Sequence, residues 1–200
     1  MKKNNTLALF DFDGTITRKD TFLAFIRFTH GSLRYWLGMW VLSPLLVLYA
    51  LKVIPNNRAK VFVFRYFFGG WKYERFKKAG EDFCAAALPA LLRKSAIEKI
   101  QFHQQHQHRL IVVTASAGEW VHPWCQTMGM EIISTKLEVV DEKITGRLAG
   151  TNCYGPEKVN RIQQVLQLQD YPVIYAYGDS NGDKEMLAIA QHSHYKPFID

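Results

Sequence analysis

Short apolar runs, each ending in polar residues, recur along the chain and predict the strands of a sheet. They occupy residues 6–10, 110–113, 130–134 and 173–177, with a hairpin at 137–140 and 143–148 and a last strand at 193–195. The segments 119–128, 156–167 and 184–190 have the hydrophobic spacing of helices. Strands alternating with helices predict an α/β fold with a mostly parallel sheet.

A long insertion separates the first predicted strand from the second. Residues 11–109 lie between them, whereas a whole strand–helix–strand unit needs only about 30 residues. The excess, residues 17–88, predicts a helical cap domain over the carboxyl end of the first strand. The remainder, 1–16 and 89–200, is then the core domain.

Residues 33–54 are the least polar part of the predicted cap. Residues 35–51 contain no charged side chain, and Arg34 and Lys52 flank them. The run lies at the lower limit of the about 17–25 apolar residues that span a bilayer, and Pro44 divides it. Three arrangements remain open: a buried pair of short helices, an element on or re-entrant in a membrane surface, and a true span.

The composition narrows the classes of function. With 200 residues, of which 48% are hydrophobic and 22% charged, the chain can bury the core of one globular domain. A net charge of +7 favours anionic partners, but nucleic acid is not expected because no basic run or nucleic-acid motif is present. The three cysteines form no C-x-x-C pair, and the first apolar run meets aspartates too early for a signal peptide. These features indicate a cytoplasmic protein.

Two aspartates follow the first predicted strand. Asp11 and Asp13 are separated by one residue, so they share one side of the strand, and Gly14 then permits a turn. Neighbouring carboxylates repel each other unless a cation or a shared proton relieves them. An Asp-Gly turn would account for Asp13 but not for Asp11. The pair therefore predicts a site for Mg²⁺, which prefers oxygen ligands.

Further polar groups follow the other predicted strands. Thr114 ends the second run, Asp179 and Asp183 follow the strand at 173–177, and Lys158 begins a helix. Ligands of parallel sheets bind outside the carboxyl ends of the strands, so we expect these groups to meet the first two aspartates. A carboxylate nucleophile, a second carboxyl for proton transfer, and cationic or hydroxyl donors suit phosphoryl transfer.

In this order the residues resemble the motifs of the haloacid dehalogenase (HAD) superfamily of phosphatases. The likeness covers nearly the whole chain, and the insertion resembles the helical C1 cap of subfamily IB, the branch that contains phosphoserine phosphatase. The resemblance implies a Rossmann-like core and Mg²⁺-dependent hydrolysis of a phosphomonoester through an aspartyl-phosphate.

The resemblance also implies a role for each residue. Asp11 would be the nucleophile and Asp13 the general acid and base. Thr114, Ala115 and Lys158 would hold the phosphoryl group. The implied ligands of Mg²⁺ are Asp11, Asp13 through its backbone carbonyl, Asp179 and Asp183.

Two classes of substrate remain open. Phosphoserine phosphatases carry an acidic residue that binds the substrate ammonium, and Asp20 stands at that place; it is equally the expected N-cap of a helix. The apolar cap segment instead resembles phosphatidylglycerophosphatase C, a same-branch type of enzyme that acts on a lipid phosphate. We favour a lipid phosphate such as phosphatidylglycerophosphate, with peripheral contact of residues 33–54 at the inner face of the membrane. The alternative is phosphoserine or another soluble small-molecule phosphate.

Two non-enzymatic alternatives use similar residues. A signalling receiver carries its phosphorylated aspartate in mid-chain and has no large cap after the first strand, so the order of residues here goes against it. A silent phosphate-binding relative is disfavoured because every motif residue is present.

Three histidines near the second predicted strand form a separate motif. His103, His106 and His108 end a predicted helix. No carboxylate or cysteine joins them, so a solvated helix end is expected rather than a metal site.

Overall fold

Seven strands are found in the part of the chain that a computed structural model describes, residues 5–54 and 56–199. Five form one parallel sheet, and two form an antiparallel hairpin. They are β1 (Thr6–Phe10), β2 (Arg109–Ala117), β3 (Glu131–Thr135), β4 (Leu137–Val140), β5 (Lys143–Leu148), β6 (Val173–Gly178) and β7 (His192–Tyr195). The order of the sheet is β3-β2-β1-β6-β7, which confirms the predicted α/β class.

Helices cover both faces of this sheet. In the described residues they are α1 (Thr21–Val41), α2 (Ser43–Ala50), α3 (Asn56–Phe68), α4 (Tyr73–Ala86), α5 (Lys94–Gln105), α6 (His122–Thr127), α7 (Pro156–Val165) and α8 (Lys184–Ala188). The first four lie between β1 and β2 in the chain, and we call them the cap.

Strand β1 is the centre of the core. Its alternating side chains divide between two apolar clusters, with Leu7 and Leu9 on one face of the sheet and Ala8 and Phe10 on the other. All four are fully buried, as expected for a parallel strand covered on both sides. Phe10 pairs with Val112 of β2 and with Tyr177 of β6, so the carboxyl ends of these three strands lie side by side.

The cap is attached to the hairpin β4–β5 by backbone hydrogen bonds. Gly70 N donates to Ile144 O at 2.8 Å, and Ile144 N donates to Trp71 O at 2.9 Å. Tyr73 N donates to Glu142 O at 2.7 Å. The hairpin therefore holds the cap over the carboxyl end of the sheet.

The apolar segment of the cap is not buried, so the arrangement as a buried pair of helices is wrong. The two helices meet near Pro44, as expected, at an angle of 62°. However, α2 has no buried residue, and large side chains such as Trp40 (76% exposed) and Leu33 (75% exposed) face outward. No single helix of the described residues meets the length and hydropathy of a membrane span, whereas α1 and α2 together do.

The expectation for the histidines is wrong for His103, which lies inside the core. Its ring is fully buried, its Nε2 lies 2.9 Å from the Tyr177 hydroxyl, and its Nδ1 lies 2.7 Å from Nδ1 of His108. It contacts the edge of Phe10 as well. A neutral imidazole has one donor and one acceptor, so it can be satisfied there without water. His103 thus supports Tyr177, two residues before Asp179.

Burial of His103 predicts that stability depends on pH. Burial, with His108 nearby, lowers the pKa of His103 to about 3. An unfolded histidine takes up a proton near pH ~6.5, so the unfolded state binds more protons between these values. The free energy of unfolding should therefore decrease as the pH falls below about 6.5, by up to ~1.4 kcal/mol per pH unit for this group.

Urea unfolding of the wild type and of His103→Gln at pH 7.5 and pH 5.5 measures this dependence. We expect a shallower pH dependence in the variant, whose side chain does not titrate. His122→Gln, at an exposed histidine, is the control and should leave the pH dependence as in the wild type. An unchanged pH dependence in His103→Gln would contradict the prediction.

Candidate active site

A buried lysine joins three strand ends at the carboxyl edge of the sheet. Lys158 is 1% exposed, and its Nζ donates to Asp11 Oδ1 at 2.6 Å, to Asp183 Oδ1 at 2.7 Å and to the carbonyl of Val113 at 2.7 Å. Asp11 follows β1, Asp183 follows β6, and Val113 belongs to β2. The three ammonium donors are thereby all used.

The carboxylates around Lys158 are buried, and burial disfavours their charged form. Burial raises the pKa of Asp11 to about 7, although Lys158 acts against this shift. Burial and the charge of Asp183 likewise raise the pKa of Asp179. For Lys158, burial opposes the charge, but Asp11 and Asp183 more than offset it and raise its pKa. The site therefore has more negative charge than its one lysine neutralises.

The donor set at this place fits a magnesium ion. Carboxylate oxygens of Asp11, Asp179 and Asp183 lie within 4.8 Å of one another. The hydroxyl of Thr15 lies 3.2 Å from Asp11 Oδ2 and 3.3 Å from Asp179 Oδ1, so its one proton is shared between the two carboxylates and orients them. Several hard oxygens with excess negative charge are what Mg²⁺ binds. The backbone allows this closeness at Gly14, where φ is +85° and a side chain would collide with the Asp179 carboxylate.

Asp13 is held apart from this cluster by residues of the cap and of β2. The backbone N and the hydroxyl of Thr21 both donate to Asp13 Oδ1 at 2.6 Å, and the hydroxyl of Ser116 donates to Asp13 Oδ2 at 2.5 Å. Trp120 Nε1 donates to the Thr21 hydroxyl at 3.1 Å and supports it in turn. The two aspartates of the first motif thus have different surroundings.

The contacts of Asp13 could not be inferred from the sequence. Ser116 lies 103 positions from Asp13, and a serine after a strand is equally suited to cap a helix. Of the two residues that bind Asp13, only Thr21 lies close to the first motif in the chain, eight positions after Asp13. Only the fold brings Thr21 of α1 and Ser116 of β2 to the same carboxylate.

The remaining predicted residues lie around the cluster. Thr114 is buried, and its Oγ1 accepts a hydrogen bond from Ser116 N at 3.0 Å. The carbonyl of Ala115 accepts one from Lys60 of the cap at 3.3 Å. Asp20 is outside the acidic cluster: its Oδ1 accepts from Phe22 N at 2.8 Å, which makes it the N-cap of α1.

Comparison with known proteins places the chain in a family. The family sequence model of the haloacid dehalogenase-like hydrolases matches residues 8–188. The chain belongs to this family. The matched range includes every predicted site residue from Asp11 to Asp183.

Two relatives and one solved enzyme add detail to this HAD assignment. Protein CicA of Caulobacter vibrioides is 36% identical over 196 residues, which cover 96% of this chain and 86% of CicA. A probable phosphatase of Mycobacterium tuberculosis is 28% identical over 195 residues, covering 94% of this chain and 67% of the relative. Phosphoserine phosphatase structures align with a TM-score of 0.59 at 20% identity, covering 94% of this chain and 84% of theirs, which shows a shared fold. The predicted family and enzyme class, a HAD-type phosphatase, are confirmed.

Removal of the buried lysine should destabilise the HAD core. Lys158→Met would leave two buried carboxylates without their counter-ion, which typically costs about 3–5 kcal/mol. We expect a loss of this size in the free energy of unfolding, measured with urea in EDTA. Lys184→Met, at an exposed lysine a few residues after the acidic cluster, is the matched control and should stay within about 0.5 kcal/mol. Equal losses in the two variants would contradict the prediction.

Proposed function

We propose that this HAD phosphatase is Mg²⁺-dependent and hydrolyses a phosphomonoester through an aspartyl-phosphate on Asp11. One observation carries the proposal. Asp11 is fixed by Lys158 within the acidic cluster, while Asp13 is fixed separately by Thr21 and Ser116. A nucleophile and a proton carrier need such different surroundings.

In the first step, a carboxylate oxygen of Asp11 attacks phosphorus and the bond to the ester oxygen breaks. The leaving alkoxide takes a proton from the carboxyl of Asp13. In the second step, a water oxygen attacks phosphorus and gives its proton to Asp13. The bond to Asp11 breaks, inorganic phosphate leaves, and both carboxyl groups return to their first state.

Asp11, Asp179 and Asp183, with the backbone carbonyl of Asp13, would hold Mg²⁺. The ion would supply positive charge against which the phosphoryl oxygens and the nucleophile can approach each other. Thr15 contributes by orienting Asp11 and Asp179 through its hydroxyl.

Thr114, Ala115 and Lys158 are proposed to bind the phosphoryl group. Thr114 is buried and directly follows Val113, whose carbonyl accepts a hydrogen bond from Lys158, which supports this role. Because the three donors of Lys158 already bind protein acceptors, a contact with phosphate would replace one of them. We therefore expect Lys158 to orient Asp11 before the substrate arrives.

We also propose that the chain functions as two domains, a core of residues 1–16 and 89–200 and a cap of 17–88. The position of the cap over the carboxyl end of the sheet supports this division. In such an arrangement the core performs the reaction, and the cap selects the substrate.

The nucleophile is tested by Asp11→Asn. With p-nitrophenyl phosphate and Mg²⁺, we expect kcat to fall by at least about a thousandfold, because the amide is a poor nucleophile. EDTA should abolish the activity of the wild type, and added Mg²⁺ should restore that activity. Asp82→Asn, at an exposed aspartate, is the control and should keep full activity. Turnover by Asp11→Asn near the wild-type rate would refute the assignment.

We propose a lipid phosphate, such as phosphatidylglycerophosphate, as the substrate. The support is the apolar cap surface, which we define as the outward side chains of residues 33–53. It includes Leu33, Trp36, Trp40 and Leu51, whose side chains are each 62–76% exposed. Large exposed apolar patches indicate an interaction site.

A membrane is the partner that this surface suits. The exposed Arg34 and Lys52 lie near its two ends in the chain and would attract the anionic headgroups of the inner leaflet. The exposed tryptophans have the amphipathic rings found at membrane interfaces. We therefore propose a cytoplasmic enzyme that contacts the inner face of the membrane. Its three cysteines are buried free thiols, which agrees with that compartment.

Phosphoserine is the alternative substrate. The structural likeness to phosphoserine phosphatase favours it. In that case Asp20 would bind the substrate ammonium in addition to capping α1. A panel of phosphoserine, sugar phosphates and phosphatidylglycerophosphate distinguishes these classes by kcat/KM.

Membrane contact is tested by liposome flotation at low salt with vesicles rich in phosphatidylglycerol. We expect the wild type to float. Val41→Glu should weaken partitioning by about tenfold, since burial of a valine contributes roughly 1.5 kcal/mol. Val165→Glu is the matched control, because Val41 and Val165 are 52% and 54% exposed and only Val41 belongs to the apolar cap surface. Absence of wild-type flotation would contradict the membrane proposal and favour a soluble substrate.

A further inference from the structure

A groove of about 1120 Å³ separates the cap from the core near the active site. One wall is helix α3, with Arg58 and Phe62. The other wall includes Arg147 of β5 and Tyr154 of the loop between β5 and α7. The groove has the volume of a small-molecule site, and no residue of the acidic cluster lines it.

The groove carries positive charge. Arg58 and Arg147 lie on opposite walls. Glu157 is the one carboxylate among the described residues that line it, and Glu157 is paired with Arg161 at 2.8 Å. An anionic group is therefore the complementary occupant.

The groove is continuous with the surroundings of the phosphoryl site. Val61, Leu148 and Asn152 line both the groove and a smaller pocket that reaches the carbonyl-bearing residue Ala115, next to Thr114. That pocket holds only about 20 Å³, which is room for about one water molecule. A substrate that binds at Ala115 and is larger than this pocket can extend into the groove past the residues that the two share.

Apolar side chains line the groove as well. Ile54 and Phe62 are among them, and Phe62 is 49% exposed. Ile54 directly follows the apolar cap surface in the chain. Phe62 lies about one turn after Arg58 on helix α3, so an occupant can contact a charged and an apolar side chain together.

We propose that this groove binds the part of the substrate that does not react, with an anionic group between Arg58 and Arg147 and an apolar substituent against Phe62. The inference rests on the proposed phosphatase function and defines its substrate class. The substrate is a phosphomonoester that carries a second acidic group and an apolar tail, as in an acylglycerol linked through a phosphodiester.

The experiment compares four soluble esters with Mg²⁺ present. Dihexanoyl phosphatidylglycerophosphate, below its micelle concentration, has the acidic group and the tail; its deacylated form has only the acidic group. O-phosphoserine carries a carboxylate instead, and p-nitrophenyl phosphate has neither an acidic group nor a tail. Soluble substrates separate the groove from the membrane contact.

Arg147→Gln should raise KM for the first two esters about tenfold, as expected for one lost charge contact, with kcat within about twofold. The kcat/KM for p-nitrophenyl phosphate should not change. Lys143→Gln removes one positive charge from the same strand outside the groove and should match the wild type. Calorimetric titration of glycerophosphoglycerol should show a similar weakening in Arg147→Gln without catalysis.

Phe62→Ala should raise KM for the dihexanoyl ester but not for its deacylated form. Tyr66→Ala is the matched control, since Phe62 and Tyr66 are each 49% exposed on the same helix and only Phe62 lines the groove. If Arg147→Gln raises KM for phosphoserine alone, the anionic group is a carboxylate and the apolar part of the proposal is overturned.

Two outcomes would overturn the groove proposal as a whole. In one, Arg147→Gln lowers kcat/KM for p-nitrophenyl phosphate as much as for the other esters; in the other, Lys143→Gln raises KM as much as Arg147→Gln does. A wild type that hydrolyses none of the four esters would instead refute the proposed function.

Discussion

The buried ammonium of Lys158 is the constraint on which the arrangement of the active site depends. A lysine this deep in the protein is tolerable only when its charge is paired and its donors are satisfied. Its acceptors come from the end of β1, from β2 and from the loop after β6. Three strand ends that are far apart in the chain are therefore held around one charge, and the carboxylates needed for phosphate chemistry are held with them.

A second constraint separates the two aspartates of the first motif. Asp11 belongs to the charge cluster, whereas Asp13 is bound by hydroxyls of Thr21 and Ser116. One of these hydroxyls belongs to the first residue of α1 in the cap and the other to β2. The proton carrier of the proposed reaction is thus held where cap and core meet, so that placement of the cap and placement of the acid are linked.

The cap combines two surfaces that point to one kind of substrate. Its outer helices expose apolar side chains beside basic residues, and its inner helix α3 contributes Arg58 and Phe62 to the groove. Backbone bonds to the hairpin keep α3 close to β5, so both walls of the groove belong to elements tied to each other. In the proposed function the core performs the reaction, and the cap together with the hairpin selects the substrate.

The sequence by itself determined the α/β class, the inserted helices and the meeting of Asp11, Asp179 and Lys158. It could do so because strand periodicity is local and the carboxyl ends of parallel strands share one edge. Only the tertiary structure decided that residues 33–53 lie exposed and that His103 is buried, since an apolar run suits a core and a membrane surface equally, and a polar ring can be satisfied by partners elsewhere in the chain. The contact of Asp13 with Ser116 and both walls of the groove likewise join residues about 90 or more positions apart, where packing and not local pattern makes the choice.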